Sequence, residues 1–317
     1  FNDRTYPRFE QLLARLNVKA LATEMSFSVH NSLTQLEYNG NTLTSLFAQK
    51  RNLFRPRFWL FIREILRFNK LCKQAFVDDR YDYQTLGDLL ENERFSEFFS
   101  LHYILPMGAA IWSSSIEDMK AFSLRFFIQF FQNHGLLNIT DRPQWYVLEG
   151  GSRSYIPDLI APFKSAIHLN SPVSAIVRSD GGVKLQVNDQ WLEFDEVVLA
   201  CHSDQALAML SDATEDEVNV LSQLAYQNNE VVLHCDESLL PKRKAAWASW
   251  NYRLDADTRK QASVTYNMNI LQRLPSDAPT FCVTLNQSEL IDNSKVLRVF
   301  NYSHPVFNEQ TMQAQSQ

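Results

Sequence analysis

Chemistry-bearing side chains crowd one short stretch, "FDEVVLACHSDQAL", from Phe194 to Leu207. A thiol at Cys201, an imidazole at His202 and a carboxylate at Asp204 are the components of a nucleophile, its base and the group that orients the base. Spacing argues against that use. Neighbouring side chains on an extended strand point to opposite faces, so Cys201 is badly placed to pass its proton to His202, and triads ordinarily join residues distant in sequence. The architecture of the stretch offers two other readings. An apolar strand, Val197 to Ala200, reached through acids, ended by small residues and followed by a helix is how a strand enters a parallel nucleotide-binding sheet, whose ligand lies at the strand's carboxyl end. The same pattern also describes a plain core strand ending in a loop, with Cys201 as a small apolar neighbour.

Other chemical signatures are thin. In "GGSRSY", Ser152 is not centred between glycines as a nucleophile elbow requires. The seven His form no HxxxH or HxH pair, and Cys72, Cys201, Cys235 and Cys282 show no metal-ligand spacing, so no metal site is expected. Widely spaced cysteines in apolar contexts suit a reducing compartment. Lys242 and Lys244 fall in the charged loop "LLPKRKAAW", where solvation is the simpler reading.

The elements that must position these residues change character along the chain. Tyr6 to Glu24 reads as one helix, opened by Pro7 and carrying Phe9, Leu12, Leu13 and Leu16 on one side. "FSVHNSLTQLEYNGNTL" gives two short alternating runs, with Asn39-Gly40 as the turn of a small β excursion. From about Thr44 to Gly135 the period is helical. In "RPRFWLFIREILRFNKLCKQAF", steps of about 100° gather Phe58, Phe61, Ile62, Ile65, Phe68, Cys72 and Phe76 in one arc and set Arg63, Arg67, Lys70 and Lys73 opposite. Lys50 to Lys73 holds eight basic residues and one acid, Glu64, with Trp59 and Leu66 among the bases. That mixture suits an anionic membrane surface, although a solvated face over a core stripe is the plainer reading. In "IEDMKAFSLRFFIQFFQNHG", Phe122, Phe126, Phe127, Phe130 and Phe131 spread around the wheel, which predicts a largely buried helix, either core or the wall of an apolar cavity.

After Trp145 the period shortens. "VLEGGSRSYIPDLIAPF" reads as a strand end, a glycine pair and a helix, and "IHLNSPVSAIVRSDGGVKLQVNDQWLEFDEVVLAC" as a β-meander, turning at Asp180-Gly181-Gly182 and closing in a buried strand. Two short helices follow from Asp204 to Leu224. Strands are expected near Glu230 to Cys235, Ala246 to Tyr252, Ser263 to Asn267, Phe281 to Asn286 and Val296 to Tyr302. The tail "NEQTMQAQSQ" reads as loosely held.

The chain has 317 residues, 45% of them apolar, and 22 Phe, enough for a large aromatic core. A net charge of -6 gives no reason to expect nucleic acid as a partner. No run of about 18 apolar residues occurs, and "FNDRTYPRFEQLL" does not open like a leader, so a cytoplasmic protein is expected, with possible contact to the inner face of the membrane through the basic helix 56–76.

Several blocks in fixed order resemble a known family. "EGGSRSYIPDLIAPF" followed by "I.LN.PV..I", a meander and a "D.VV.A" strand is similar to the second half of the flavin-containing amine oxidase superfamily, with its protoporphyrinogen oxidases and phytoene-type desaturases. "FNDRTYP", "LPMGAAIWSS", "RFFIQFFQNHGLL", "ACHSDQAL" and "WASWNY" look like a bacterial subgroup described as FAD-binding or amine-oxidase-like. The resemblance covers nearly the whole chain. It implies that the strand at Val173 binds the adenine end of FAD, that Ala200 and Cys201 lie near the dinucleotide, and that Gly150, Gly151 and Ser152 approach the flavin or the substrate. Asn2 would follow the segment that passes the isoalloxazine. No catalytic side chain is assigned. Superfamily members open with a strand and GxGxxG, which is absent among these eight glycines, and they close with a flavin-binding block not found here. The 317 residues are therefore expected to be truncated, to hold no FAD alone, to be inactive as a fragment, and to self-associate through the Val197 to Ala200 strand.

The resulting expectation is an α+β fold: a mixed-sheet substrate domain with a large helical insertion, plus part of a Rossmann-like FAD domain made of the meander and a returning parallel strand. The regions would be 1–43 (start of the substrate domain), 44–145 (helical substrate region), 146–204 (glycine-pair helix and meander) and 205–317 (mixed sheet). The expected function is a FAD-dependent oxidoreductase acting on a small apolar or amine-bearing substrate. Its rival is a non-catalytic lipid-binding or membrane-associating module.

Overall fold

Short alternating segments become strands wherever a neighbour satisfies their backbone, and twelve do so among the residues that the computed structural model describes, 1–80, 83–254 and 263–315. In chain order they are β1 Ala20–Thr23, β2 Phe27–Asn31, β3 Leu36–Asn39, β4 Trp145–Leu148, β5 Val173–Ser179, β6 Gly182–Val187, β7 Gln190–Phe194, β8 Tyr226–His234, β9 Trp250–Leu254, β10 Val264–Asn267, β11 Cys282–Leu285 and β12 Val296–Pro305. β1 and β4 form an antiparallel ribbon, and β5, β6 and β7 a meander. The other seven make one mixed sheet in the order β12-β8-β11-β10-β9-β2-β3, with β2 and β9 parallel. The fold is α+β with a mixed sheet, as expected. Two compact units are present, one of Phe1–Leu159 with Asn229–Tyr302, the other of Ile160–Asn228 and the chain from Ser303 on.

The helices of the first unit build an aromatic core. In the helix Pro56–Asp78, Phe58, Phe61, Phe68 and Cys72 are buried, and Trp59, Leu60 and Leu66 are exposed beside Arg63, Arg67 and Lys70, as the wheel predicts. Glu64 and Asn69 are polar residues buried on that helix. The Glu64 carboxylate is accommodated there because it accepts the backbone N–H and hydroxyl of Ser96, the N-cap of the short helical segment Glu97–Phe99. Helix Leu124–Asn133 buries Leu124, Phe127, Ile128 and Phe131 and sets Phe126 and Phe130 half-buried, both against Trp112. Among the described residues, no helix is long and apolar enough to cross a membrane.

Several expectations are corrected. The first helix ends at Arg15, not Glu24: Asn17 takes a positive φ of 53°, Val18 N–H returns to Leu13 O, and Ala20–Thr23 leaves to pair with β4. The hairpin turn is Ser32 to Gln35, where Asn31 Oδ1 accepts the N–H groups of Leu33 and Thr34, and Asn39-Gly40 lies beyond β3. That hairpin is no separate excursion, since β2 pairs with β9 more than two hundred positions away. The described part of the polar tail is not loose, for Glu309–Ala314 is helical with Thr311 and Ala314 buried and Asn308 as its cap, and its last two positions, 316 and 317, lie outside the described residues.

The returning parallel strand is the largest correction. Val197 to Ala200 belongs to no strand, because no described segment pairs with its backbone to make a ladder, and Val198 is 90% exposed. The meander before it forms as read. Its β5–β6 turn lies at Asp180-Gly181-Gly182, and its β6–β7 turn places Asn188 and Asp189 at φ of 48° and 63°, the signature of a tight hairpin. At Gly182 a Cβ would come within 2.2 Å of Phe194 O, so only glycine fits there.

Candidate functional site

The seven-stranded sheet inverts the usual burial rule. Register places Phe27 beside Trp250, Trp250 beside Tyr266, Tyr266 beside Val283 and Val283 beside Leu233, one apolar row crossing five strands on one face. All five side chains are half-buried. Trp250 and Tyr266 meet edge to face with centroids 4.9 Å apart. The next row on the same face, Val29, Tyr252 and Val264, is buried. A continuous apolar row that is only half-buried can receive an apolar ligand.

The opposite face is polar and buried. Ser28, Asn251, Thr265, Thr284 and His234 line it, none more than 3% exposed. The segment after β8 covers them: Lys242 and Arg243 N–H groups donate to Glu37, and Asn251 Nδ2 donates to Ala248 O. Side chains also bond along the sheet. Ser28 Oγ donates to Asn251 Oδ1 (2.8 Å), Thr265 and Thr284 hydroxyls meet at 2.8 Å, and Thr284 Oγ1 lies 2.7 Å from His234 Nε2. Asp236 N–H donates to His234 Nδ1, so Nδ1 is unprotonated and Nε2 carries the hydrogen given to Thr284. Burial lowers the His234 pKa and keeps the ring neutral. Asp236 then accepts Ser238 N–H, Asp292 N–H and Lys295 Nζ. Such a satisfied network fixes strand register and holds the row on the other face rigid.

These residues were not singled out in the sequence. The signal was present as alternation in "WNYR", "VTYN", "CVTL" and "VVLH", but a small polar residue in a strand ordinarily marks the solvent side. Only pairing reveals that here it marks the buried one.

The residues that sequence did single out fall in both units. In the first, Asn2 bridges to Trp145 at the start of β4, and Gly150, Gly151 and Ser152 follow its end, so the ribbon separates Asn2 from the glycine pair by about 15 Å. Asn2 is fully buried. Its Oδ1 accepts Arg4 N–H, Thr5 N–H and the Thr5 hydroxyl, and its Nδ2 has no partner. Gly150 and Gly151 hold φ of 80° and 84°, and a Cβ on Gly151 would meet nothing within 4 Å. In the second unit, Val173 opens β5, an edge strand of the meander, and Ala200 and Cys201 are exposed ahead of the helix Ser203–Met209.

No triad forms there. No hydrogen bond joins Cys201 to His202, whose ring stacks on Tyr226 at 4.3 Å and lies 4.0 Å from Asp204. Ser203 donates its N–H to the Tyr226 hydroxyl, so this segment is organised around Tyr226 and not around the thiol. Among the described residues, no three His, Cys, Asp or Glu side chains gather where they would hold a metal ion.

Comparison with known proteins adds to this geometry. A search of curated proteins gave no match. Solved structures share the fold at low identity. Cyclohexylamine oxidase from Brevibacterium oxydans IH-35A aligns at a TM-score of 0.60 with 11% identity, covering 96% of this chain and 72% of that one. A putative protoporphyrinogen oxidase from Exiguobacterium sp. 255-15 aligns at 0.58 with 14% identity, covering 100% and 78%. A triple variant of putrescine oxidase, redesigned in cofactor binding, aligns at 0.54 with 11% identity, and the chain covers only 64% of its length, with 98% of this chain aligned. The model of flavin containing amine oxidoreductases matches residues 3–285, and the chain belongs to that family.

Proposed function

We propose that this chain builds the substrate wall and part of the cofactor cradle of a FAD-dependent oxidoreductase that removes hydride from a C–H bond of an apolar or amine-bearing substrate. The observation that carries this reading is the continuous, half-buried apolar row Phe27, Trp250, Tyr266, Val283 and Leu233, in a chain of a flavin family. Bound FAD supplies the hydride acceptor, its N5. The row excludes water and orients an apolar substrate, and the buried network behind it keeps the wall from yielding.

Features of the chain fit such a cofactor. The open, positive-φ backbone at Gly150 and Gly151 allows close approach of a flat ring. The buried, unpartnered Asn2 Nδ2 is a donor in search of an acceptor. Along the outer edge of β5, Leu210 and Asp212 take Ile176 and Arg178, and Val173 precedes that cover with its edge open to a ligand. Ala200 and Cys201 are small and exposed. The four free cysteines suit a reducing, cytoplasmic setting.

The test is a full-length protein with a flavin absorption band whose bleaching is screened against amines, porphyrinogens, polyenes and fatty acyl chains. A protein that stays colourless after reconstitution would overturn the proposal and favour the lipid-binding alternative. Trp250→Ala is expected to lower kcat/KM for the responding class by about tenfold to a hundredfold, corresponding to roughly 1.5–3 kcal/mol of lost apolar contact. Cys201→Ser is expected to weaken FAD retention while turnover per bound flavin persists, which a flavin-to-protein absorbance ratio and an initial rate separate. Loss of turnover at normal flavin content would make the thiol catalytic.

A further inference from the structure

Six large apolar side chains that face solvent fall within one short span: Leu43, Leu53, Phe54, Trp59, Leu60 and Leu66, with Phe54 87% exposed. The same span is cationic. Between Glu37 and Asp78 the sequence has eight Lys and Arg and one acid, Glu64, in a chain whose net charge is -6. Glu64 is buried with its carboxylate accepting from Ser96, so it is not among the groups that this surface presents to solvent. Arg67 lies over Phe95 and pairs with Glu93, and Arg57 lies over Phe98. Lys50, Arg63 and Lys70 are exposed.

At about 100° per residue, Trp59, Arg63, Leu66 and Lys70 share an arc of roughly 60° along some 16 Å of the helix Pro56–Asp78. Apolar and cationic groups therefore alternate along one line. The end of that line is stiff: Trp59 Nε1 donates to Leu53 O at 2.8 Å and its ring packs 5.4 Å from Phe47, which fixes the indole beside the turn Lys50–Phe54. We propose that this surface docks on an anionic lipid bilayer, lying in the headgroup layer. Phe54, Trp59 and Leu66 enter the acyl boundary while Lys50, Arg63 and Lys70 stay at the phosphates. A polynucleotide would neutralise the cations but offer no apolar medium for an aliphatic and aromatic row.

The experiment is co-sedimentation of the protein with vesicles of phosphatidylcholine alone or with roughly one third phosphatidylglycerol. Binding to the anionic vesicles is expected, falling steeply as salt rises to about 0.5 M. Arg63→Gln with Lys70→Gln is expected to reduce partitioning about 25-fold, from about fivefold for each charge. Phe54→Ser with Leu66→Ser should also reduce it, whereas Leu290→Ser, an exposed apolar site on another segment, should not. Unchanged thermal melting of these exposed-site variants establishes that they fold. Protein that stays in the supernatant, binds both vesicles equally, ignores the charge substitutions or binds a DNA duplex instead of vesicles overturns the proposal. The assay needs no flavin, so its outcome is separate from that of the oxidoreductase reading.

Discussion

Phe61→Ala is expected to destabilise the protein by about 3–5 kcal/mol and to lower its melting temperature by roughly 10 °C. Phe61 is fully buried, and its ring lies 5.4 Å from Tyr38, 5.5 Å from Phe58, 5.4 Å from Phe98 and 6.3 Å from Tyr103. Tyr38 belongs to β3, so the ring joins the sheet to the helices, and truncation opens a cavity that several elements would have to fill at once. Tyr38 is further held by its hydroxyl, which donates to His102 O. The comparison that isolates packing is Phe54→Ala on the same stretch of chain. Phe54 is 87% exposed, and its loss should move stability by less than about 0.5 kcal/mol. Urea unfolding of both variants measures the difference, and equal losses would mean that the Phe61 contacts carry no weight.

Asp236→Ala is expected to cost about 3–5 kcal/mol at neutral pH, because it leaves two backbone N–H groups and Lys295 without their carboxylate. Burial pushes the Asp236 pKa up, but the Asp292 and Ser238 N–H groups and Lys295 outweigh it and hold the carboxyl at about 2, below its ordinary 3.8. A depressed carboxylate contributes stability that is full above pH 3.8 and is lost as pH falls toward 2, about 2 kcal/mol in all. His234 adds to the acid side. Burial lowers its pKa below 6.5, so the folded state disfavours the charged ring and stability starts to decline as pH drops below that value. At the alkaline end, Asp236 raises the Lys295 pKa above 10.5, so that contribution is present below 10.5 and fades at higher pH. Unfolding free energy measured against pH should therefore be flat between about 7 and 10 and decline on the acid side. In Asp236→Ala the component between pH 4 and 2 should vanish while the one below 6.5 persists. An unchanged acid profile in that variant would contradict the network.

Periodicity alone determined the helices, the meander, most of the late strands and the side of Pro56–Asp78 that carries cations, because each depends on neighbours within a turn or a hairpin. The glycine pair and the tight turn at Asp180-Gly181-Gly182 were legible for the same local reason. What the sequence did not contain was pairing across distance. β2 finds β9 across more than two hundred residues, and only that register turns Phe27, Trp250 and Tyr266 into one wall. The same register turns Thr265, Thr284 and His234 into a buried chain whose residues, one by one, look like solvent-facing polar positions. The stretch Val197 to Ala200 shows the converse. Its residue types specify a strand, yet a strand exists only where a second backbone answers its N–H and C=O groups, and no described segment pairs with it.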